Sequence, residues 1–422
     1  MIPPWQTAGQ STQAQLRQRA ERRRRYLTRG AVAIVAAGAL VWAVLAAGLV
    51  PPTAIEWARQ DVGIVGWLLA AVIGIVGAEI VARIMNDMPV FSRINFVTRA
   101  FDLVELYGYL AYDPTFGWKM KENFCEPGFW LTTGKYSLRM NANALREPPE
   151  GGILAVGDSF TACATCDSET WPAYLEKLTG MPVLNAGCGG YGVDQMILRA
   201  EQLIPVVKPK TVIVGILAQD ILRCNLRLFG KAFKPWFSVK DMQLTLEGVP
   251  VPRISPATVM LNAWQKIFGH SYLIDRAMIR LGIDGWQLRD LTEQHRVHED
   301  AQGIMVSCLL LKRLYDLTSQ HGIRVIVVML WGGHEAMADV EWSIAPPVLQ
   351  IAQTLGFETV DFHEPLHAIY KQNPGRFTQL WLNEDGQIGH PSKEGNAMIA
   401  TQIFQRCFQK PLANAAVARG WR

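Results

Sequence analysis

The chain has 422 residues, half of them hydrophobic, with 41 Lys and Arg against 37 Asp and Glu for a formal charge of +4. That length and apolar content exclude a disordered chain and support one large domain with appendages or two ordinary domains. Arg17, Arg19, Arg22, Arg23, Arg24, Arg25 and Arg29 against Glu21 put +6 into the first thirty residues, so no basic face remains elsewhere for nucleic acid.

The basic arm, 1–30, runs into AVAIVAAGALVWAVLAAGLV, residues 31–50, which carries no charge and ends at Pro51 and Pro52. A second stretch, IVGWLLAAVIGIVGAEIVA at 64–82, carries only Glu79. Both have the length of a bilayer crossing, and together they predict a two-helix transmembrane hairpin over 31–83. A cleaved signal peptide has a shorter apolar region and no second span. Arginines inside place the arm in the cytoplasm, and two crossings return the large domain to the same side. Arg83, Arg93 and Arg99 agree with that side. Seven cysteines in irregular spacing also suit a reducing compartment better than a disulfide framework.

Residues 84–150 form a connector: a helical pattern in FSRINFVTRAFDLVELYGYLAYD, the turn-rich DPTFGWKMKENF, and a linker at REPPEGG. From Ile153 the pattern alternates. ILAVGDS is a buried strand, WPAYLEKLTG a helix with Pro172 in its first turn and Gly180 at its end, and MPVLNAGCGGYG a strand with a Gly-rich loop. DQMILRAEQLIPVV is a helix and KTVIVGILAQD a third strand. After a helix through SCLLLKRLYDLTSQHG come the strand RVIVVML, a helix near 341–355, the strand ETVDFH and the closing helix SKEGNAMIATQIFQRCF. This is an α/β fold with a parallel sheet over 151–410, ligands gathering at the strands' carboxyl ends. Residues 225–300 interrupt it with a hairpin at KPWFSVKDMQLTLEGVPVP and helical material, an insertion placed to cap the site. Residues 411–422 are a tail.

Four strand or helix ends carry chemistry. Ser159 follows the strand ILAV and the turn Gly157-Asp158, where its hydroxyl and N–H face the sheet's carboxyl edge. NAGCGGYG, 185–192, permits close backbone approach to a ligand. GILAQD ends the third strand, and His390 stands before the closing helix. A nucleophile and a base converging on one edge is a hydrolase layout.

On Gly157-Asp158-Ser159-Phe160, Asn185 to Gly190 and His390-Pro391, the chain over about residues 110–410 resembles the SGNH, or GDSL, hydrolase family. The resemblance implies a flavodoxin-like three-layer α/β/α sandwich and a serine esterase or deacylase. Its substrate would be an acylated small molecule, glycan or lipid; no cofactor or metal is implied. It assigns Ser159 as nucleophile, His390 as base, and the N–H groups of Ser159 and Gly190 as oxyanion hole. Membrane-tethered relatives often work in the periplasm, which stands against the charge rule. An O-acyltransferase acting on an envelope glycan and a non-catalytic binding protein are the alternatives, and the sequence leaves the oligomeric state open. The α/β-hydrolase elbow is excluded, because Thr161 occupies the second glycine of G-x-S-x-G.

Two departures from the family pattern stand out. Gln219 replaces the family's Asn before Asp220, one methylene longer than the oxyanion donor it would supply. The acid expected three residues before the histidine is Gln387; a bulge through GQIG would bring Asp385 onto the imidazole, with Glu384 adjacent, and otherwise the site is a Ser–His dyad. HEPLH, 363–367, matches a zinc-protease pattern, but Pro365 argues against both histidines sharing a continuous helix. Cys163, Cys166, Cys188 and Cys224 follow strand ends and either surround Ser159 or merely fill the turns.

Overall fold

The structure, a computed structural model, describes residues 64–86, 88, 90, 94–99, 108–125, 131–142, 147–230, 232–254, 261–283, 286, 295–339, 342–384 and 386–409. The chain forms two compact units, Met1–Ala100 with Ser255–Leu288, and Phe101–Ile254 with Arg289–Arg422.

In the first unit the second apolar stretch is a helix, Ile64–Met85. Glu79, the single acid of that stretch, accepts from Ser271 Oγ at 2.9 Å and from the N–H groups of Tyr272 and Leu273 at 2.7 and 2.9 Å. It thereby caps the helix Tyr272–Arg280, whose first N–H groups have no partner inside their own helix. Arg83 Nε holds the same carboxylate at 2.6 Å. The stretch 31–50 lies outside the described residues, and the described side chains of Ile64–Met85 begin at Val72. Among the described residues no helix is long and apolar enough to cross a membrane; the first span of the transmembrane hairpin expected over 31–83 lies outside them.

The second unit opens with an antiparallel hairpin, β1 (Leu110–Asp113) and β2 (Gly117–Met120). Asp113 Oδ1 accepts from the N–H groups of Thr115 and Phe116 at 2.8 and 3.1 Å, which turns the chain. β3 (Ile153–Gly157), β4 (Val183–Asn185) and β5 (Thr211–Leu217) follow. Short hairpins come next, β6 (Leu228–Phe229) with β7 (Ala232–Phe233) and β8 (Trp236–Lys240) with β9 (Gln243–Glu247). The chain closes with β10 (Arg324–Leu330), β11 (Glu358–Asp361) and the antiparallel pair β12 (Trp381–Glu384) and β13 (Gln387–Pro391).

The central sheet has the order β11-β10-β5-β3-β4, every pair parallel. Numbered among themselves, its strands run 2-1-3-4-5, the flavodoxin-like order. TVIVGIL of β5 is buried throughout and RVIVVML of β10 from its second residue on, as continuous apolar runs must be when helices cover both faces. Right-handed crossovers put Trp171–Thr179 on one face and Val193–Val207, Asp300–Gln320 and Ala345–Thr354 on the other, and Lys393–Ile403 packs against Trp171–Thr179. Thr170 caps that helix by accepting from Ala173 N at 3.2 Å, and left-handed Gly180 ends it. The chain order reverses direction between β3 and β5, so the crevice of a doubly wound sheet opens where Ser159 follows β3.

Candidate active site

Ser159 is the first residue of the short helix Ser159–Ala162, capped by Asp158, whose Oδ1 accepts from Phe160 N at 2.8 Å. Gly157 makes this turn possible: a Cβ there would stand 2.0 Å from Thr161 Oγ1 and 2.7 Å from the Gly215 carbonyl oxygen. His390, at the end of β13, brings Nε2 to 2.9 Å from Ser159 Oγ, across 231 residues of sequence. Its Nδ1 lies 2.8 Å from Glu384 Oε1. A carboxylate only accepts, so Nδ1 carries the proton and Nε2 is left to accept from the serine hydroxyl. Asp158 Oδ2 stands farther from that hydroxyl, at 3.4 Å.

The carboxylate on Nδ1 is thus that of Glu384; the expected acid, Asp385, lies outside the described residues. The expected bulge is present: Trp381 pairs with Pro391 and Asn383 with Ile388, so β13 carries an extra residue around Gly389 and His390. It brings the last ladder residue of β12 onto the imidazole. Gly389 leaves the room, since a Cβ there would meet Glu384 Cδ at 2.3 Å. Asp-Gly before a second short strand is a hairpin-turn signal, and it would have placed Asp385 at the turn and Glu384 in the ladder.

Gln219 is exposed at the start of the helix Ala218–Arg223, and its Nε2 donates to Glu335 Oε1 at 2.5 Å rather than to a group of the Ser159 turn. The Gly-rich loop does face the nucleophile. A Cβ at Gly189 would lie 3.8 Å from Ser159 Cβ, and Gly190, at φ +80°, packs under Phe229 and Trp118. Among the described residues the N–H groups of Ser159, Gly189 and Gly190 have no acceptor, as an anion-binding cradle requires.

Beneath the site lies a buried charge cluster. Arg223 Nη1 donates to Asp158 Oδ2 at 3.2 Å, to the Tyr191 carbonyl at 2.9 Å and to Asp220 Oδ1. Burial pushes the Asp220 carboxyl well above its ordinary range, the Asp158 charge adds to the rise, and Arg223 opposes it. Burial also works against the Arg223 charge, but Asp220 and Asp158 outweigh it and hold the guanidinium above its ordinary value. One cation thus joins the turn after β3, the glycine loop after β4 and the end of β5.

The four turn cysteines are free thiols, and among the described residues no group of three metal-ligating side chains occurs. Burial raises the thiols of Cys163, Cys188 and Cys224 to about 12 and that of Cys166 to about 11, which removes the thiolate a redox centre needs. The CATC loop is shaped by Arg139 instead, which donates to the carbonyls of Ala162, Cys163 and Thr165 and pairs with Asp167 at 3.0 Å. His363 and His367 do share one helix, His363–Gln372, contrary to expectation. Pro365 sits in its first turn, where a missing N–H costs nothing.

No family model and no curated protein matches the chain. Solved structures similar to it include an acetylxylan esterase from Geobacillus stearothermophilus, at 15% identity and TM-score 0.37, covering 63% of this chain and 98% of that one. Another is LAE5, an alpha/beta hydrolase enzyme from the Lake Arreo metagenome, at 14% identity and TM-score 0.37, covering 62% and 98%. A third is a protein assigned to the G-D-S-L lipolytic family from Desulfitobacterium hafniense, at 14% identity and TM-score 0.31, covering 60% and 97%.

Proposed function

We propose that this protein is a serine esterase or deacylase of SGNH type. The observation that carries it is the relay from Ser159 Oγ to His390 Nε2 at 2.9 Å and from Nδ1 to Glu384 at 2.8 Å. His390 takes the hydroxyl proton as Oγ bonds to the acyl carbon, and Glu384 stabilises the imidazolium. The carbonyl oxygen becomes an oxyanion held by the N–H groups of Ser159 and the glycine loop. Its collapse breaks the ester bond, and Nε2 returns the proton to the departing alkoxide. Water, deprotonated at the same nitrogen, then releases the acid from the acyl-serine. The substrate is an ester-linked acyl group on a small molecule, glycan or lipid.

The apolar stretches 31–50 and 64–82 support a tether to the bacterial inner membrane. The arginine arm supports a catalytic domain on the cytoplasmic side. Alkaline carbonate extraction of cells tests the tether, and a reporter fused after Arg422 tests the side: full extraction by carbonate, or a reporter active only in the periplasm, contradicts the respective assignment.

Hydrolysis of p-nitrophenyl acetate by the full chain tests the chemistry. Turnover in the wild type that falls by about a thousandfold or more in Ser159→Ala and in His390→Ala is the expected result. Equal rates in all three contradict the esterase. Release that speeds up with an added sugar acceptor redirects the assignment to acyl transfer.

A further inference from the structure

We propose that residues 261–283 lie along a bilayer surface, with Trp264, Ile267, Leu281 and Ile283 at the boundary between lipid headgroups and acyl chains. The inference rests on the tether proposed above and names a second place where this chain meets the same membrane.

Ser255–Leu288 belongs to the first unit, with Met1–Ala100. Its helices Ala263–Phe268 and Tyr272–Arg280 bury hydrogen-bonded polar side chains and expose apolar ones. Buried Gln265 donates from Nε2 to the Trp286 carbonyl at 3.1 Å, and buried Asp275 accepts from Trp286 Nε1 at 3.1 Å. Trp264, Ile267 and Leu281 are instead 68, 66 and 72% exposed, and Ile283 follows them outward. Trp264 stacks on Phe268 at 5.4 Å, so the outer face of the first helix is aromatic. Large apolar side chains outside and satisfied polar ones inside reverse the pattern of a helix that faces water.

The helix on which this segment docks points to the partner. Glu79 of Ile64–Met85 holds the Ser271 hydroxyl and the N–H groups of Tyr272 and Leu273, and Arg83 donates to the His270 carbonyl. Asn95 Nδ2 donates to the Gln265 carbonyl at 2.8 Å and Phe96 N to the Gly269 carbonyl at 2.7 Å, which fixes the first short helix to the same unit. On the docking helix Val72, Ile75 and Val76 are exposed, and no described residue from Val72 to Ala78 is buried. That apolar surface reaches to within about one turn, ~5 Å, of the Glu79 bonds. A helix apolar on every exposed side is matched by lipid rather than by water.

Charge fits the same partner. Lys266, Arg276 and Arg280 are exposed, while the segment's one acid, Asp275, is buried and pairs with Arg276 at 3.4 Å. Cations beside an apolar face suit anionic headgroups, and an indole sits well at the headgroup level.

The test uses the full chain carrying Leu281→Cys with Cys125→Ser, labelled with the fluorophore NBD at a site checked by mass spectrometry. The protein is reconstituted into vesicles of phosphatidylcholine and phosphatidylglycerol. The expected label is blue-shifted and shielded from iodide. A lipid spin-labelled near its headgroup should quench it at least about twofold more than one spin-labelled near the acyl terminus. Protein that floats with the vesicles while its label is quenched by iodide and by neither lipid overturns this proposal and leaves the tether standing. A label shielded from iodide but untouched by either lipid marks a protein contact, with a second copy or with residues 31–50, and also overturns it. Quenching that does not favour the headgroup probe contradicts the interfacial depth. Protein that does not float with the vesicles overturns both the proposal and the tether. Should Leu281→Cys lose its cooperative melt, Ile283→Cys gives the same readout.

Discussion

Arg223 holds Asp158 at 3.2 Å directly beneath the nucleophile, and the same guanidinium nitrogen reaches the glycine-loop carbonyl of Tyr191 at 2.9 Å. Asp158 and Asp220 are both fully buried, so the cation is what permits two carboxyl groups to sit under one serine. Arg223→Met leaves them uncompensated. Breaking a buried pair in this way costs about 3–5 kcal/mol, so the urea midpoint of the variant should drop steeply. A midpoint within error of the wild type would show that the cluster does not stabilise the fold.

Glu384 and Asp385 separate cleanly by mutation. Glu384→Gln keeps the size of the side chain but can donate to Nδ1, which favours the wrong imidazole tautomer and should lower kcat by about 100- to 10,000-fold. Asp385→Asn should cost less than about threefold, because the carboxylate on Nδ1 belongs to the neighbouring residue. The reverse order of losses would restore Asp385 as the acid.

Gly389→Ala tests the passage that Glu384 uses. The new Cβ would stand 2.3 Å from Glu384 Cδ, and the flexible carboxylate would swing away from His390. A misplacement of about 1 Å costs on the order of 100-fold, so kcat should fall by that order while the thermal midpoint stays near the wild type. A variant with full activity would mean the carboxylate finds another route to Nδ1.

The buried thiols predict an alkaline limit to stability. Cys163, Cys188 and Cys224 ionise near 9.0 when unfolded but only at about 12 when folded. Between those values the unfolded chain binds fewer protons, so stability is full below pH 9 and declines as pH rises, by about 1.4 kcal/mol per thiol for each pH unit. Replacing Cys224 with Ala should flatten the decline measured by urea titration between pH 9 and 10.5. At pH 8, iodoacetamide should modify exposed Cys125 first and these three only on unfolding. Rapid native-state alkylation of Cys188 would contradict its burial.

The parallel sheet was legible because β5 and β10 are unbroken apolar runs between helical periods, and Pro172 and Gly180 marked their helix by local chemistry alone. Ser159 and His390 were legible from motifs at strand and helix ends. What escaped depends on contacts between distant segments. Glu384 required the register of β12 on β13, although the Asp-Gly turn pointed to it. The partner of Gln219 was not legible because its amide meets Glu335, 116 residues away. Trp118 lay in what read as a connector, and only the fold brings it onto Gly189. Arg223, three residues after Asp220, carries no motif, and its role follows from three loops converging on one cation.

The most direct test of the central claim is covalent labelling by a fluorophosphonate, with the adduct mapped by mass spectrometry. A nucleophile activated by His390 and Glu384 should carry the label on Ser159 in the wild type, label far more slowly in Glu384→Gln, and give no adduct in Ser159→Ala. A wild-type protein that stays unlabelled, or that carries the label on another residue, would contradict the assignment of Ser159 as the nucleophile.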